Sequence, residues 1–187
     1  MTDYAIAVAV SPAPTDYDLG VSKFFGAPTI PQEWLSTFDG DEIFFCQVRL
    51  AELAPFDPAN RLPHTGYLYV FLHTGDGPYA LRADVRYLPD EPDTVIEDFN
   101  AAVPEYERFT QAWRMEFSAA DAEADGIKLF GTPSDWNYGD DAPPLLMQYD
   151  PLDSDMGFLD FLDGYLYLFF GADRRDLGAV TLHEEYS

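Results

Sequence analysis

The chain has 187 residues, enough for one domain of ordinary size or two small halves around a shared core, and its 47% apolar and 16% aromatic content supplies that core. Thirty-four acidic against ten basic residues give a formal net charge of −24. This argues against nucleic-acid binding, which needs clustered Lys and Arg, and against an anionic membrane surface.

Residues 4–10 alternate weakly and predict a first strand. The stretch carries Asp3 and lacks a basic n-region, so no signal peptide is expected. No apolar run approaches the ~20 residues of a spanning helix. Cys46 is the only cysteine, which excludes an intrachain disulfide and fits a reducing compartment. The chain reads as soluble and cytoplasmic.

Residues 11–20 predict a loop, and Pro28, Pro31 and Trp34 an extended segment. Asp39-Gly40-Asp41 is a turn signal. Strands are predicted over 42–50, over 66–73 with aromatics on both faces, and over 79–88, where Leu81, Ala83, Val85 and Tyr87 alternate with Arg82, Asp84 and Arg86. Residues 54–64 form a Pro-rich connection. Pro92-Asp93-Thr94 ahead of Val95, Ile96 and Phe99 predicts a capped short helix, and Pro104 begins another turn of helix. A strand over 113–117 and a short Ala-rich helix over 119–125 follow. The closing strand is placed at 179–183.

One motif occurs twice. Ser22-Lys23-Phe24-Phe25-Gly26-Ala27-Pro28 is answered by Ile127-Lys128-Leu129-Phe130-Gly131-Thr132-Pro133, and Lys23 and Lys128 are the only lysines of the chain. Downstream, Phe44-Phe45-Cys46-Gln47-Val48 is answered by Leu145-Leu146-Met147-Gln148-Tyr149. Gly66-Tyr67-Leu68-Tyr69-Val70-Phe71 is answered by Gly164-Tyr165-Leu166-Tyr167-Leu168-Phe169. The reading is an α+β fold: a single pseudo-symmetric domain over 1–187 from an internal duplication, mainly antiparallel β strands with a few short helices. The half-repeats span about 20–90 and 125–187, with a junction over 91–124. The period is too long for a solenoid of ~20–50-residue repeats.

Lys-x-x-Gly-x-Pro, then a strand bearing Gln, then Gly-Tyr-Leu-Tyr-x-Phe, twice in one chain, resembles the YwqG-like family of bacterial proteins, a domain of unknown function. The resemblance covers residues 20 to 187. The chain departs from the family pattern at Phe25-Gly26, where paired glycines are usual, at Leu35 in place of proline after Trp34, and at Phe161 in place of tryptophan. The resemblance implies an α+β fold with internal duplication and brings no established activity. A possible immunity role beside secreted toxins is implied by it alone.

Several residues are candidates for chemistry. Lys23 and Lys128 either form a cationic pair for an anionic ligand or lay their stems on apolar neighbours and pair locally. Gln47 and Gln148, mid-strand among apolar residues, either bond main chain where the halves meet or contact a ligand; a buried amide left unsatisfied costs about 1–3 kcal/mol. Gly26, Gly131, Pro28 and Pro133 read as turn chemistry. Trp34 and Trp136 are core residues or ligand platforms. Asp150, Asp153 and Asp155 are spaced like calcium ligands, but the turn glycine and distal glutamate are missing. His64, His73 and His183 are scattered without zinc spacing, so no metal is expected. Cys46 sits in an apolar strand, where a thiol is inert. No nucleophile elbow, phosphate loop or dinucleotide fingerprint occurs, so neither a catalytic residue nor a cofactor is expected.

Two functions follow as expectations. The first is a non-catalytic acidic interaction protein, immunity-like, that neutralises a basic protein partner through steering by its charge. The alternative is a small-ligand-binding protein or enzyme, using a cleft between the half-repeats lined by Lys23, Lys128, Gln47 and Gln148. Oligomeric state is left open. The acidity also fits a merely solvated surface.

Overall fold

The computed structural model describes residues 3–13, 20–73, 82–100, 109–137, 142–150, 152, 156 and 164–186. They form ten strands: β1 (Tyr4–Pro12), β2 (Lys23–Phe24), β3 (Glu42–Arg49), β4 (Tyr67–His73), β5 (Arg82–Leu88), β6 (Trp113–Asp121), β7 (Lys128–Phe130), β8 (Leu145–Tyr149), β9 (Gly164–Phe169) and β10 (Thr181–Tyr186). All pair antiparallel in one sheet, in the order β10-β9-β8-β7-β1-β6-β2-β3-β4-β5. The end strands β5 and β10 approach each other, so the sheet is nearly closed. Helix among the described residues comprises α1 (Leu50–Leu53), the two residues 109–110 and short 3₁₀ turns. No described helix is long and apolar enough to cross a membrane.

From the central pair β1–β6, the order outward is the same on both sides: β2-β3-β4-β5 on one flank and β7-β8-β9-β10 on the other. Each central strand adjoins the other flank's territory in sequence. β1, the first strand of the chain, pairs with β7, and β6 pairs with β2. Neither central strand belongs to the segments in which the motif repeats.

Side chains on the inner face form one core. Ile6, Phe24, Phe45, Val48, Leu68, Val70, Leu129, Leu146, Leu166 and Leu168 all contribute and are buried. Aromatic edges meet there: Phe24 against Phe45 at 5.2 Å and Phe45 against Tyr149 at 5.6 Å join the two flanks. The outer faces of β4 and β9 are also apolar. Tyr67, Tyr69 and Phe71 lie under Trp34, Phe38, Ile96 and Phe99, while Tyr167 and Phe169 lie against Trp136. The expectation of aromatics on both faces of residues 66–73 is corrected: Tyr67, Tyr69 and Phe71, two residues apart, share the outer face, while Leu68, Val70 and Leu72 fill the inner one.

β3 and β8 carry matching register shifts, between Phe44 and Cys46 and between Leu145 and Met147. Each bulge sends two successive residues inward, Phe45-Cys46 and Leu146-Met147, and leaves the following glutamine on the outer face. Strict alternation would have aimed Gln47 and Gln148 into the apolar core.

Three local expectations are revised. Residues 119–121, predicted helical, continue β6, because Ala119, Ala120 and Asp121 pair with Ile6, Ala5 and Tyr4; tertiary pairing overrides the helix propensity of alanine. The helix predicted from Pro92 is instead extended, with Val95 bridged to Thr29, and ends in turns at 97–100. Trp34 sits on a 3₁₀ helix, Gln32–Thr37, rather than in an extended segment. The turn predicted from Pro104 lies largely outside the described residues, as do Asp153 and Asp155.

Candidate functional site

The repeated motif makes one arrangement twice. Lys23 on β2 stands opposite Gln47 on β3, and Lys128 on β7 opposite Gln148 on β8. The row continues outward to Tyr69 and Arg86 on one flank, and to Tyr167 and His183 on the other. Immediately after each lysine strand the chain reverses through two successive left-handed residues. These are Phe25 (φ 53°) and Gly26 (φ 72°) in one copy, Phe130 (φ 63°) and Gly131 (φ 79°) in the other. A left-handed phenylalanine costs about 1–2 kcal/mol. Packing offsets it: Phe25 lies edge-on to Phe45 and Phe109, and Phe130 stacks on Phe170.

The reversal lays each loop over the outer face of the sheet, where the polar row holds it. Lys23 Nζ donates to the Ala27 carbonyl at 2.6 Å. Lys128 Nζ donates to the Thr132 carbonyl at 2.6 Å and also to the Ala124 carbonyl. Gln47 Oε1 accepts from Thr29 N at 3.0 Å and Thr29 Oγ1 at 3.1 Å, and its Nε2 donates to the Val21 carbonyl at 2.8 Å. Gln148 Oε1 accepts from Ser134 N at 2.8 Å, and its Nε2 donates to the Gly126 carbonyl at 2.8 Å and to Ser134 Oγ at 3.1 Å. The tyrosines complete the cradle: Tyr69 OH donates to the Thr29 carbonyl at 2.7 Å, and Tyr167 OH to the Ser134 carbonyl.

Both lysines and both glutamines are fully buried. Burial pushes the Lys23 ammonium down to about 8. Lys128 is also lowered by burial, against the opposing pull of Asp125 and Glu123. Burial raises the Cys46 thiol, in keeping with an inert group.

The tryptophans cap the rows. Trp34 meets Tyr69 edge-on at 5.4 Å, and Trp136 meets Tyr167 edge-on at 6.0 Å. Arg86 spreads over Trp34 at 5.2 Å and Phe38 at 4.2 Å. On the other flank His183 meets Trp136 edge-on at 5.4 Å.

Lys, Gln and Trp are therefore gathered within each flank. The two sets are not brought together, since β1 and β6 run between β7 and β2. Sequence reasoning did not single out Thr29, Ser134, Tyr69 and Tyr167. Their signal was present: a hydroxyl residue stands six positions after each lysine, and a tyrosine holds the same place in each Gly-Tyr-Leu-Tyr segment. Metal-ligating atoms that lie together among the described residues belong to neither row but to Asp41, Glu42 and His73. No protein-family model matches the chain, and a search of curated proteins finds no match.

Proposed function

We propose that this chain is a non-catalytic, acidic interaction protein that binds and neutralises a basic protein, in the manner of an immunity protein. The observation that carries the reading is the net charge of −24. Part of it is concentrated in one exposed stretch after β5, where Asp90, Glu91, Asp93, Glu97 and Asp98 all face solvent. Such a surface attracts a basic partner at long range and loses it as salt screens the field. The lysine–glutamine rows support the same reading from the other side. Their polar atoms bond the protein's own loops, which fits a scaffold role better than a ligand-binding one.

The matching strand order, bulges and left-handed turns on the two flanks support an origin by internal duplication, with membership of the YwqG-like family as the corresponding proposal. In this reading the lysine motif is the fold's fastening, and the acidic surface is the working part.

The test is affinity capture with the intact chain at about 50 mM and about 500 mM salt, on either side of the ionic strength where the screening length is roughly 8–10 Å. A Asp90→Lys/Glu91→Lys/Glu97→Lys/Asp98→Lys variant runs alongside. A basic protein retained at low salt, released at high salt and lost to the variant is the expected outcome. Equal capture by both forms, or no basic protein in either condition, removes the proposal.

A further inference from the structure

At the end of β3 and β4 remote from the lysine rows, the register sets Glu42 opposite His73, and that of β4 and β5 sets His73 opposite Arg82. Asp41 directly precedes β3. His73 is 4% exposed and Glu42 5% exposed, so an imidazole and a carboxylate share a buried position. His73 Nδ1 lies 3.3 Å from Asp41 Oδ1 and 3.8 Å from Glu42 Oε1. One ligand atom from each of the three residues falls within 4.8 Å of the others. Zinc–nitrogen and zinc–oxygen bonds of about 2.0–2.1 Å in a tetrahedral site set ligand atoms about 3.3 Å apart. The His73–Asp41 pair stands at that spacing, and the other pairs lie within 4.8 Å.

The hydrogen bonds around the histidine conflict. The Arg82 guanidinium reaches Nδ1 at 3.2 Å, and a guanidinium only donates, so this contact needs a lone pair on Nδ1. The Asp41 carboxylate on the same nitrogen needs a proton there. Nδ1 cannot serve both. With the lone pair on Nδ1, the proton sits on Nε2, which is buried with no hydrogen-bond partner among the described residues. That tautomer is the one a metal ion requires. Glu42 is already oriented, since its two oxygens accept the Asp39 amide at 2.8 Å and the Gly40 amide at 2.7 Å. Second contacts of this kind fix a ligating carboxylate. The Arg82 residue is exposed, so its side chain has room to leave.

We infer that Asp41, Glu42 and His73 form a binding site for a divalent transition-metal ion of the zinc class, with the Arg82 guanidinium resting against the ring nitrogen that would ligate it. A mixed imidazole and carboxylate set suits zinc and its neighbours over calcium or magnesium, which take oxygen ligands. Three protein ligands leave a fourth position for water or a partner's side chain.

The test titrates the intact, untagged chain, freed of metal by chelation, with Zn²⁺ alone and with Mg²⁺ alone, by calorimetry. One saturable zinc site is expected, with no matching magnesium site. His73→Gln and Asp41→Asn each weaken zinc by more than about tenfold, the scale on which even the outer partners of metal ligands act. Arg82→Ala tightens zinc, because a competing cation is removed, and Glu116→Gln, at an exposed acid outside both sites, changes nothing. Zinc raises the melting temperature of the wild type but not of His73→Gln. Asp41 is exposed, so its variant reads out binding even where the His73 variant folds poorly. Zinc affinity unchanged in Asp41→Asn, binding no tighter in Arg82→Ala, or zinc and magnesium binding alike overturns the assignment.

Discussion

Lys128 on β7 and Gln148 on β8 stand opposite each other and turn their polar ends to the same loop. The ammonium holds the Thr132 carbonyl at 2.6 Å, and the amide oxygen holds the Ser134 N–H at 2.8 Å. Lys23 and Gln47 do the same for Ala27 and Thr29. Cross-strand polar pairs that fasten a loop, rather than face a cleft, explain how a lysine comes to rest fully buried in each flank.

Removing one of these amides leaves main-chain groups without partners. Gln148→Leu strands the Ser134 amide and the Gly126 carbonyl. At about 1–3 kcal/mol for each unsatisfied buried group, the expected loss is about 2–6 kcal/mol. Urea unfolding reads it as a lower midpoint with an unchanged slope. A loss near zero shows that the loop is held by other contacts.

Lys23 gives the protein an alkaline dependence with a definite sign. Its folded value is about 8, below the ordinary lysine value, so between the two the unfolded chain binds more protons. The burden of the buried charge is complete below pH 8 and lifts as pH rises. Tyr67 sets the upper limit: burial raises it to about 12, so its contribution is present below the ordinary tyrosine value and is lost above it. Relative to Lys23→Met, the wild type gains about 1–2 kcal/mol between about pH 8 and 9.5. Parallel denaturation curves for the two proteins across that window contradict this.

Gly131 combines a φ of 79° with a close neighbour: a Cβ there meets the Ala122 carbonyl oxygen and comes 3.0 Å from Ala5 Cβ. Gly178 is the control, since a Cβ at that position meets only Asp176 Oδ1, at 3.4 Å. The left-handed backbone alone costs a side chain about 1–2 kcal/mol, so Gly131→Ala is expected to lower stability by more than that. Gly178→Ala changes it little. Thermal unfolding of the two variants checks the ordering.

Cys46 is fully buried and its thiol is raised by burial. The native protein is expected to resist a thiol-reactive dye and to react fully once denatured. Rapid labelling under native conditions means that the central strands open more often than this packing implies.

The strands were legible wherever residues alternate or run apolar, as at 82–88 and 67–73, and the repeated motif marked the positions that hold the loops. The central strands were harder to read. β1 is rich in alanine, and Ala119-Ala120 in β6 carries a helix signal that pairing with Ile6 and Ala5 overrides. The outward aim of the glutamines was hidden, because a bulge leaves no mark in a run such as Phe44-Phe45-Cys46-Gln47. The Asp41–Glu42–His73 group was invisible for another reason. His73 is 31 residues from Glu42 in the chain, and the two meet only through strand register.

The exchange of central strands has a consequence for synthesis. β1 is translated well before its neighbours, β6, where Val8 meets Phe117, and β7, where Ile6 meets Leu129. Over one hundred residues must leave the ribosome before Ile6 and Val8 find either neighbour. Non-local pairing of this kind slows folding and prolongs the exposure of unpaired edges. The nascent chain therefore carries β1 unclaimed while more than one hundred further residues emerge, and a second copy emerging nearby offers it the same two neighbours.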